Sequence, residues 1–376
     1  MKITVLGCGL VGGPMAMDLA KEPGYAVRSA DVNLEALQRL KARADVETVQ
    51  VDLRDPTRVK EIVAGSDMVV SAVPGGMGFQ TLKAVIEAGK DVVDIAFFPE
   101  DPFLLDELAK EKGVNVLVDC GVMPGMGSIL VGKAASELDE TEEATIYVGG
   151  LPVVREWPYE YKAVFSPIDV IAEYIRPARY VEGGRLVTRP ALSDPEYLNF
   201  PEVGTLEAFN TDGMRTMLTT IPAVNLKEKT MRYPGHIEKM AVLRETGFFS
   251  EEEIEVNGVR ISPMALTAKL LFPMWKLAEG EADITIMRIT VKGRKDGRER
   301  KYRWDLVDHY DAEQGILSMA RTTGYTATAA VRMDAAGLYR QAGITPPEVL
   351  GRHPECVAFL LARLEERGVH YEAMAD

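Results

Sequence analysis

The feature that most constrains the fold of this chain is a glycine-rich motif directly behind its first apolar run. Residues 2–6 have the character of a short strand, Gly7, Gly9 and Gly12 give the spacing G-x-G-x-x-G, and residues 15–19 follow in a helical pattern. The glycines allow a tight turn, a close approach of phosphate to the backbone, and close packing of helix on strand. The helix N-terminus adds free N–H groups and the positive end of its dipole. This strand–turn–helix order predicts a dinucleotide site.

The end of the next apolar run predicts which dinucleotide is preferred. Asp31 closes residues 25–30, and a carboxylate there accepts hydrogen bonds from the adenosine ribose hydroxyls and repels a 2′-phosphate. Arg28 is the nearest basic residue on that strand, and its odd offset from Asp31 turns it to the other face. Val32 and Asn33 follow Asp31, so no arginine stands directly behind it. We therefore expect NAD as the cofactor.

Composition disfavours several classes of partner. The formal net charge of −14 argues against nucleic acid and against an anionic membrane surface. The cysteines Cys8, Cys120 and Cys356 are far apart and lack metal-ligand spacing, which predicts a reducing compartment and no bound metal. We see neither a signal peptide nor an apolar run long enough to cross a bilayer, so a cytoplasmic location is expected.

Strands and helices alternate through the first third of the chain. The candidate strands are 3–6, 26–30, 46–51, 68–72, 92–95 and 114–118, and the candidate helices are 34–42, 57–64, 80–88 and 103–112. Strands that are apolar without alternation, separated by helices, indicate a parallel sheet covered on both faces. The predicted fold class is α/β, with a doubly wound parallel Rossmann sheet in residues 1–124 as the NAD-binding domain.

After Pro124 the pattern changes to that of an α+β second domain. The expected elements are a helix over 125–135, a strand over 143–149, an Asn-Gly hairpin at 254–261, a longer hairpin over 284–309, and helices over 321–337 and 355–367. Hairpins of alternating polarity predict a mainly antiparallel sheet. We assign residues 125–320 to a domain for substrate binding and oligomerisation, and residues 321–376 to a C-terminal helical segment.

Cofactor contacts are expected at the carboxyl edge of the first sheet, because ligands of doubly wound sheets bind beyond the strand ends. Residues at the ends of the first, second, third, fourth and sixth strands meet this condition, although Asp52 is equally consistent with a helix cap. The predicted cofactor-binding residues are Gly7, Gly9, Leu10, Val11, Gly12, Asp31, Val32, Asp52, Leu53, Ala72, Val73, Pro74, Gly121, Met123 and Pro124.

The second domain must supply the groups that bind and react with a substrate. Among four histidines, only His236 stands at a Pro-Gly turn that opens a helix, where a side chain can face a cleft. A buried core histidine is the alternative. Arg215 and Arg232 are candidate anion ligands, although single arginines are more often surface or ion-pair residues. Cys120 is interpreted as a small buried residue.

Further segments over nearly the whole chain carry a family pattern. They are the motif 7–12 with Asp31, residues 118–126 (VDCGVMPGM), 147–152 (YVGGLP), 206–209 with Thr211 and Gly213, 232–236 (RYPGH) and 319–325 (MARTTGY). Together they resemble the saccharopine dehydrogenase-like family, most closely its lysine 6-dehydrogenases. Cys120 departs from the resemblance, since a small or aliphatic residue is expected there.

The resemblance implies NAD-dependent oxidation of lysine at the ε-carbon. The products would be ammonia and 2-aminoadipate 6-semialdehyde, which cyclises to piperideine-6-carboxylate. It also implies a homodimer or larger homo-oligomer, and C-terminal residues that pack back on the first domain.

The implied reaction requires the ε-ammonium to lose a proton before hydride can leave. His236 is the expected proton acceptor, with Tyr233 and Asp119 as alternatives. Arg215 is expected to hold the α-carboxylate, and Asp212 or Glu207 the α-ammonium. Two further residues complete the predicted substrate-binding set, namely Thr211 and Arg232.

Two other functions stay open. A saccharopine or carboxynorspermidine dehydrogenase would act on a secondary amine with more carboxylates and would need a more basic pocket, whereas Tyr159, Glu160 and Tyr161 fit a cationic substrate at least as well. A dinucleotide-sensing module would bind cofactor without turnover.

Overall fold

Strands and helices alternate through the first third of the computed structural model, which describes residues 1–374. The strands are β1 (Lys2–Leu6), β2 (Ala26–Asp31), β3 (Glu47–Gln50), β4 (Met68–Ser71), β5 (Asp91–Asp94) and β6 (Asn115–Leu117). The helices are α1 (Gly12–Ala20), α2 (Leu34–Arg43), α3 (Pro56–Val63), α4 (Gly75–Glu87) and α5 (Asp106–Lys112), the last preceded by a 3₁₀ turn, Pro102–Leu105. Asn33 and Asp55 start α2 and α3 by accepting hydrogen bonds from backbone N–H groups of the first turn.

The remaining two thirds contain longer strands and a second set of helices. The strands are β7 (Glu140–Pro152), β8 (Ala178–Glu182), β9 (Arg185–Arg189), β10 (Glu196–Phe200), β11 (Gly204–Asn210), β12 (Ala223–Arg232), β13 (Ile254–Val256), β14 (Val259–Ile261), β15 (Asp283–Lys295), β16 (Arg298–His309), β17 (Gly343–Thr345) and β18 (Glu372–Met374). The helices are α6 (Met126–Glu137), α7 (Pro167–Ile175), α8 (Met217–Thr220), α9 (His236–Glu245), α10 (Pro263–Trp275), α11 (Ser318–Ala335), α12 (Pro347–Leu350) and α13 (Pro354–Glu365). No helix within residues 1–374 is long and apolar enough to cross a membrane.

In the part of the chain that the structure describes, the first sheet is seven-stranded and parallel, in the order β17–β6–β5–β4–β1–β2–β3. The order reverses between β1 and β4, which opens a crevice beyond their carboxyl ends. All four residues of β4 are buried, as expected for a strand covered on both faces. The predicted doubly wound Rossmann sheet is confirmed. Strand β17 at its edge was not predicted, because three residues give too short a pattern.

Within residues 1–374, the second sheet is nine-stranded and mixed. Its main path runs β10–β11–β12–β7–β15–β16–β18, with β8 and β9 attached beside β12. Every pairing is antiparallel except that of β12 with β7. The predicted mainly antiparallel sheet is confirmed, as are the two hairpins that turn at Asn257-Gly258 and Asp296-Gly297.

Helix α11 ties the C-terminal residues to the start of the chain. It is buried along almost its whole length and packs against α1. Arg332 of α11 forms ion pairs with Asp18 and Glu22, both at 2.8 Å, and Arg367 forms another with Asp18 at 2.8 Å. The division of the chain at residues 124 and 320 stays a prediction, and the C-terminal part contains two strands besides its helices.

Candidate active site

A cleft of about 760 Å³ lies between the carboxyl edge of the first sheet and the second sheet. The loops behind β1, β2, β3 and β4 form one end, which we call the glycine end (within residues 7–12, 31–32, 52–54 and 72–77). Helix α7 and strands β7 and β12 form the other, which we call the acidic end (within residues 148–150, 165–176, 211–213 and 228–232). Both ends open into one cavity, so a ligand of each would meet the other.

The turn between β1 and α1 is shaped for a pyrophosphate. Gly7 has φ +100°, a left-handed conformation that side chains disfavour. A Cβ on Gly12 would lie 2.2 Å from the carbonyl oxygen of Gly7, so only glycine lets α1 approach this closely. A Cβ on Gly9 would meet no atom within 4 Å, because Gly9 borders the open cleft. The turn is therefore closed toward the protein and open toward a ligand, which fits a dinucleotide.

All fifteen residues predicted to contact the cofactor line the cleft. The carboxylate of Asp31 accepts hydrogen bonds from the backbone N–H groups of Cys8 at 2.6 Å and Asn33 at 2.7 Å, which fixes it at the strand end. Arg28 is turned away and pairs with Glu47 at 3.0 Å, as the alternation of the strand predicts. That these fifteen residues contact a bound cofactor stays a prediction.

Arg54 is a cation at the glycine end that sequence reasoning missed. It lines the cleft and forms a bidentate pair with Asp52, which lowers the pKa of that carboxyl to about 2. Its side chain is largely exposed, so the pair is held weakly. Arg54 is therefore a cation of the cleft lining that a 2′-phosphate could recruit.

Strand β12 presents a polar face to the acidic end. Glu228, Thr230 and Arg232 alternate along the strand and therefore point to one side of the sheet, and all three line the cleft. Arg232 uses three of its five N–H donors on its neighbours: Nη2 donates to Glu173 at 2.7 Å, Nε to the Tyr174 hydroxyl at 3.2 Å and Nη1 to a backbone carbonyl. Its charge is thus already compensated inside the protein.

Glu228 is a buried carboxyl with few donors. One of its oxygens accepts hydrogen bonds from the Thr211 hydroxyl at 2.7 Å and the Gly213 N–H at 3.2 Å. Burial, which these bonds offset only in part, raises the pKa of Glu228 to about 8. A carboxyl that titrates near neutral pH at the wall of a cleft is suited to proton transfer.

Helix α7 supplies the opposite wall. Asp169, Ala172, Glu173 and Arg176 are spaced three, four and seven residues apart, so they share the face that lines the cleft, while Tyr174 and its apolar neighbours are buried behind it. Burial raises the pKa values of Asp169 and Glu173, which Arg232 counteracts at Glu173. The Asp169 carboxylate lies against the first domain, since a Cβ on Gly75 would be 3.1 Å from Oδ1.

Arg176 carries the guanidinium of the acidic end that lacks a carboxylate partner. Within residues 1–374 this guanidinium makes neither an ion pair nor a hydrogen bond, and it lies 5.3 Å from the ring centroid of Phe97. Burial lowers the pKa of Arg176, although a guanidinium stays charged at any physiological pH. An unpaired cation in a partly buried cleft is a ready site for an anionic group.

His236 is a core residue, and its prediction as the proton acceptor is wrong. Its side chain is 1% exposed, and both ring nitrogens are occupied, Nε2 by the Tyr174 hydroxyl at 3.0 Å and Nδ1 by the Tyr159 carbonyl at 2.9 Å. The rings of Tyr161, Tyr174 and Trp275 surround it. Burial and the charge of Arg232 lower the pKa of His236 to about 3, so it is neutral and lies outside the cleft.

Arg215 and Asp119 pair with each other rather than with a ligand. Their side chains are 5% and 1% exposed, the closest N–O distance is 3.1 Å, and Arg215 also donates to the carbonyl of Phe98. Neither residue lines the cleft. Each charge is compensated by the other in a buried ion pair between the two domains. The predictions of Arg215 as the carboxylate ligand and of Asp119 as an alternative base are therefore wrong.

Two further predicted residues also lie outside the cleft. The Tyr233 hydroxyl donates to the Pro152 carbonyl at 2.9 Å, and Glu207 accepts from the Gly235 N–H at 2.9 Å, so both hold the turn before α9. Thr211, Asp212 and Arg232 do line the cleft as predicted, with Asp212 held by Arg179 through two hydrogen bonds. Their roles toward a substrate stay predictions.

Cys120 is buried, and burial raises the pKa of its thiol, in line with its interpretation as a small core residue. No cluster of three or more His, Cys, Asp or Glu side chains that could hold a metal ion occurs in the described part of the chain.

Sequence reasoning missed the residues that dominate the acidic end. They are Asp169 and Glu173 on α7, Arg176 directly after it, and Glu228 and Thr230 on β12. Two signals were present: helical spacing over 169–176, and alternation over 228–232.

A Rossmann sheet whose glycine turn opens into a cleft walled by titratable side chains defines a dinucleotide-dependent oxidoreductase. Comparisons with known proteins agree with this class. Residues 3–117 match the family described as saccharopine dehydrogenase NADP binding domain, and residues 121–369 match the saccharopine dehydrogenase C-terminal domain. The chain belongs to the saccharopine dehydrogenase family.

Several curated relatives share this similarity. The chain is 23% identical over 397 residues to carboxyaminopropylagmatine dehydrogenase of Synechocystis, covering 100% of this chain and 98% of that protein. It is 26% identical over 264 residues to saccharopine dehydrogenase [NADP(+), L-glutamate-forming] of Pyricularia oryzae, covering 67% and 58%. It is 27% identical over 259 residues to alpha-aminoadipic semialdehyde synthase of Arabidopsis thaliana, where it spans 24% of the relative's length.

A solved structure supports the fold. Apo saccharopine dehydrogenase (L-Glu forming) from Saccharomyces cerevisiae superposes with a TM-score of 0.80 at 20% identity, covering 100% of both chains.

Proposed function

We propose that this chain is an NAD-dependent dehydrogenase that oxidises L-lysine at its ε-carbon. Lysine, NAD and water give ammonia, reduced cofactor, a proton and 2-aminoadipate 6-semialdehyde, which cyclises to piperideine-6-carboxylate with loss of water. The observation that carries the proposal is the charge of the acidic end, where within residues 1–374 two carboxyl groups, Asp169 and Glu228, and one guanidinium, Arg176, have no ion-pair partner. A substrate with one carboxylate and two ammonium groups complements that arrangement.

Helix α7 supports a binding direction for lysine. Arg176 would hold the α-carboxylate at one end of the helix face, and Asp169 lies at the other end beside Gly75, next to the loop 72–74 of the glycine end. Seven residues separate them, or about 10 Å along the helix axis. This span accommodates an extended lysine, with its ε-amine directed toward the cofactor. Asp212, anchored by Arg179, would accept a hydrogen bond from the α-ammonium.

Glu228 is our proposed proton acceptor in place of His236. An ε-ammonium has a reference pKa of roughly 10 and must become neutral before its nitrogen lone pair can assist loss of hydride from carbon. The ionised form of Glu228 can take that proton, directly or through the Thr211 hydroxyl at 2.7 Å. The pKa of about 8 places this ionised form in the mildly alkaline range.

The glycine end supports NAD as the cofactor, which when bound supplies the hydride acceptor. Residues 7–12 would hold the pyrophosphate, and Asp31 would accept hydrogen bonds from the adenosine ribose. A 2′-phosphate would instead face the Asp31 carboxylate, and the cation that the glycine end contributes to the cleft lining, Arg54, is exposed and already paired with Asp52.

A second candidate is oxidation of a secondary amine in a carboxylated polyamine. The name of the Synechocystis relative, which the chain covers almost completely, describes such a compound. The excess of carboxyl groups at the acidic end would suit its several ammonium groups. A substrate with three carboxylates is disfavoured, because Arg232 is already paired with Glu173, which leaves Arg176 as the acidic-end guanidinium without an ion pair in the described residues.

The test is a substrate panel with the purified full chain. L-Lysine, saccharopine and a carboxylated polyamine are each incubated with NAD or NADP, and reduced nicotinamide, ammonia and aldehyde are quantified. We expect turnover of lysine with one ammonia released per reduced cofactor. Turnover of a secondary amine without ammonia would identify the second candidate. Tight cofactor binding without turnover of any amine would favour a dinucleotide sensor.

A further inference from the structure

A buried hydroxyl joins the first and last residues of the motif 232–236. Arg232 ends β12 and His236 starts α9. The Tyr174 hydroxyl lies between their side chains, 3.2 Å from Nε of Arg232 and 3.0 Å from Nε2 of His236. All three residues are at most 2% exposed, and only Arg232 of the three lines the cleft. The motif therefore connects the wall of the cleft to the aromatic core behind it.

The direction of each hydrogen bond in this chain is set by its two ends. The Tyr159 carbonyl, 2.9 Å from Nδ1 of His236, can only accept, so Nδ1 carries the ring proton. Burial lowers the pKa of His236 to about 3, so the ring is neutral and Nε2 accepts the proton of the Tyr174 hydroxyl. The Tyr174 oxygen then accepts from Nε of Arg232, which can only donate. His236 thus orients the Tyr174 hydroxyl so that its lone pairs face Arg232.

Arg232 in turn fixes one carboxyl oxygen of Glu173. Nη2 of Arg232 donates to Oε2 of Glu173 at 2.7 Å, and the guanidinium lies 4.6 Å from the centroid of the Tyr161 ring. The positive charge of Arg232 favours the ionised form of Glu173. Within residues 1–374, Oε1 of Glu173 accepts no hydrogen bond, and the side chain is 20% exposed in the lining of the cleft. Glu173 therefore presents to the cleft a carboxylate oxygen that lacks a donor.

The other charges at the acidic end leave that oxygen available. Arg176 follows Glu173 by three residues and forms no ion pair in the described part of the chain. Among the described residues, four carboxyl groups and two guanidinium groups line this end, namely Asp169, Glu173, Asp212 and Glu228 with Arg176 and Arg232. Arg179 stands outside the lining and pairs with Asp212. Because Oε1 can only accept and carboxyl groups prevail around it, an ammonium group is the ligand that suits it.

We propose that His236 and Tyr174 are positioning residues, which act through Arg232 to hold the free oxygen of Glu173 in the cleft as an acceptor for an ammonium group of the substrate. The inference rests on the proposed function only in that the substrate is an amine. In lysine, the α-ammonium is the group concerned, because Glu173 lies one helical turn from Arg176, the residue proposed to hold the α-carboxylate. Proton transfer is assigned to Glu228, so breaking this chain should weaken substrate binding and leave the chemical step in place.

The first test removes one hydroxyl. Tyr174→Phe keeps the ring and should raise the KM of the amine about tenfold, with kcat and its pH dependence unchanged, because the charged acceptor is misplaced and Glu228 is not. Tyr161→Phe is the matched control, since Tyr161 lies in the same aromatic cluster, is also buried, and has a hydroxyl without a hydrogen-bond partner in the described residues. An unchanged KM in Tyr174→Phe, or an equal rise in Tyr161→Phe, overturns the proposal.

The second test determines whether His236 acts through Tyr174. In His236→Asn the amide can replace Nδ1 toward the Tyr159 carbonyl, but no atom takes the place of Nε2. This variant should raise the KM about tenfold in the wild-type background and should add nothing in the Tyr174→Phe background, where the chain is already broken. Rises in KM that multiply in the double variant show two independent effects and overturn the role of His236.

Crystal structures separate this inference from the proposed function. In the free Tyr174→Phe chain, the Arg232 guanidinium and the Glu173 carboxylate should leave their wild-type positions, whereas both should stay in place in Tyr161→Phe. Lysine that is not oxidised would overturn the proposed function alone, because the structures need no substrate and the KM is then measured with the amine that the substrate panel identifies. Arg232 and Glu173 that stay in place in Tyr174→Phe overturn the positioning and with it the proposal.

Discussion

The two ends of the cleft are built by different physics. At the glycine end, the site is a backbone turn whose shape depends on the absence of side chains at Gly7 and Gly12. At the acidic end, the site consists of charged side chains such as Glu228 and Arg232 that are held away from water by the second sheet and helix α7. Substitutions should therefore act through steric fit at one end and through charge and solvation at the other.

The difference extends to what each end can select. A turn that binds pyrophosphate through N–H groups recognises a part that many dinucleotide enzymes share. An arrangement of buried carboxyl groups around one unpaired guanidinium is specific for the charges of a particular substrate. Changes in substrate preference should thus map to α7 and β12, and changes in cofactor preference to Asp31 and its neighbours.

The largest effect on the free energy of unfolding is expected at the buried ion pair of Arg215 with Asp119. Arg215→Ala should lower the free energy of unfolding by about 3–5 kcal/mol, because it leaves the Asp119 carboxylate buried without its partner. Arg39→Ala, which breaks an exposed pair with Glu35, should cost less than about 0.5 kcal/mol. Urea unfolding monitors both. A loss below about 1 kcal/mol for Arg215→Ala would return this residue to the substrate-binding candidates.

Substitutions of two glycines should distinguish an effect on folding from an effect on cofactor binding at the glycine end. Gly12→Ala should cost about 3 kcal/mol of stability, since its Cβ would lie 2.2 Å from the Gly7 carbonyl oxygen. Gly9→Ala should leave unfolding of the free protein nearly unchanged while weakening NAD binding about tenfold or more, because its Cβ would occupy space open to the ligand. Unfolding and NAD titration of both variants check this. Equal losses of stability in Gly9→Ala and Gly12→Ala would contradict the assignment of Gly9 to the side of the turn that is open to a ligand.

The glycine end could be predicted from sequence because its determinants are local. A turn, the strand before it and the helix after it all lie within about twenty residues, the reach of a motif. The acidic end joins α7 to β12, which are far apart in the chain and face each other only after the sheet forms. No local sequence pattern predicts the ion pair of Glu173 with Arg232 or that of Asp119 with Arg215.

His236 shows how a local signal can mislead. Gly235 has φ +86° and does open helix α9 at a turn, as predicted, but that helix start is directed into the aromatic core. Which way a turn faces depends on packing between Tyr161, Trp275 and α7, and this was not visible in the sequence. The mainly antiparallel second sheet was predictable because its long hairpin carries its own register, whereas the parallel pairing of β12 with β7 was not.

At the acidic end, Glu228→Gln should lower kcat about a hundredfold while leaving NAD affinity unchanged. The wild-type rate should rise with pH through about 8, as Glu228 becomes ionised, and this limb should disappear in the variant. His236→Asn serves as the contrast: it should reduce stability but retain the pH profile. A Glu228→Gln enzyme within a few-fold of wild type would shift the role to Asp169.

Glu228 should also leave a signature in stability. Its pKa is about 8 in the folded chain and 4.5 as an isolated carboxyl, so folding is favoured by the bound proton. The contribution is complete below about pH 4.5 and is lost as the pH rises through about 8. Across pH 5 to 8.5, the unfolding free energy of the wild type should therefore fall relative to that of Glu228→Gln, and the difference should stop changing above about pH 8. A difference that stays constant across this range would refute the raised pKa.

A smaller effect concerns the cofactor. Asp31→Ser combined with Asn33→Arg should shift the ratio of kcat/KM for NAD over NADP toward NADP by at least about tenfold, since it replaces a repulsive carboxylate by a cation. Arg54→Ala is the control, because it removes the cation that could aid NADP and should increase the preference for NAD in the wild-type background. Wild-type enzyme that uses both cofactors equally would contradict the role given to Asp31.

The most direct test of the account compares L-lysine with 1,5-diaminopentane, which lacks the α-carboxylate, in the wild type and in Arg176→Ala. The central claim is that the unpaired Arg176 guanidinium selects an amine bearing one carboxylate. The wild type should prefer lysine in kcat/KM, and Arg176→Ala should reduce that preference about tenfold through the lysine KM, with no loss of thermal stability. An unchanged preference in the variant, or equal loss for both amines, would contradict the claim.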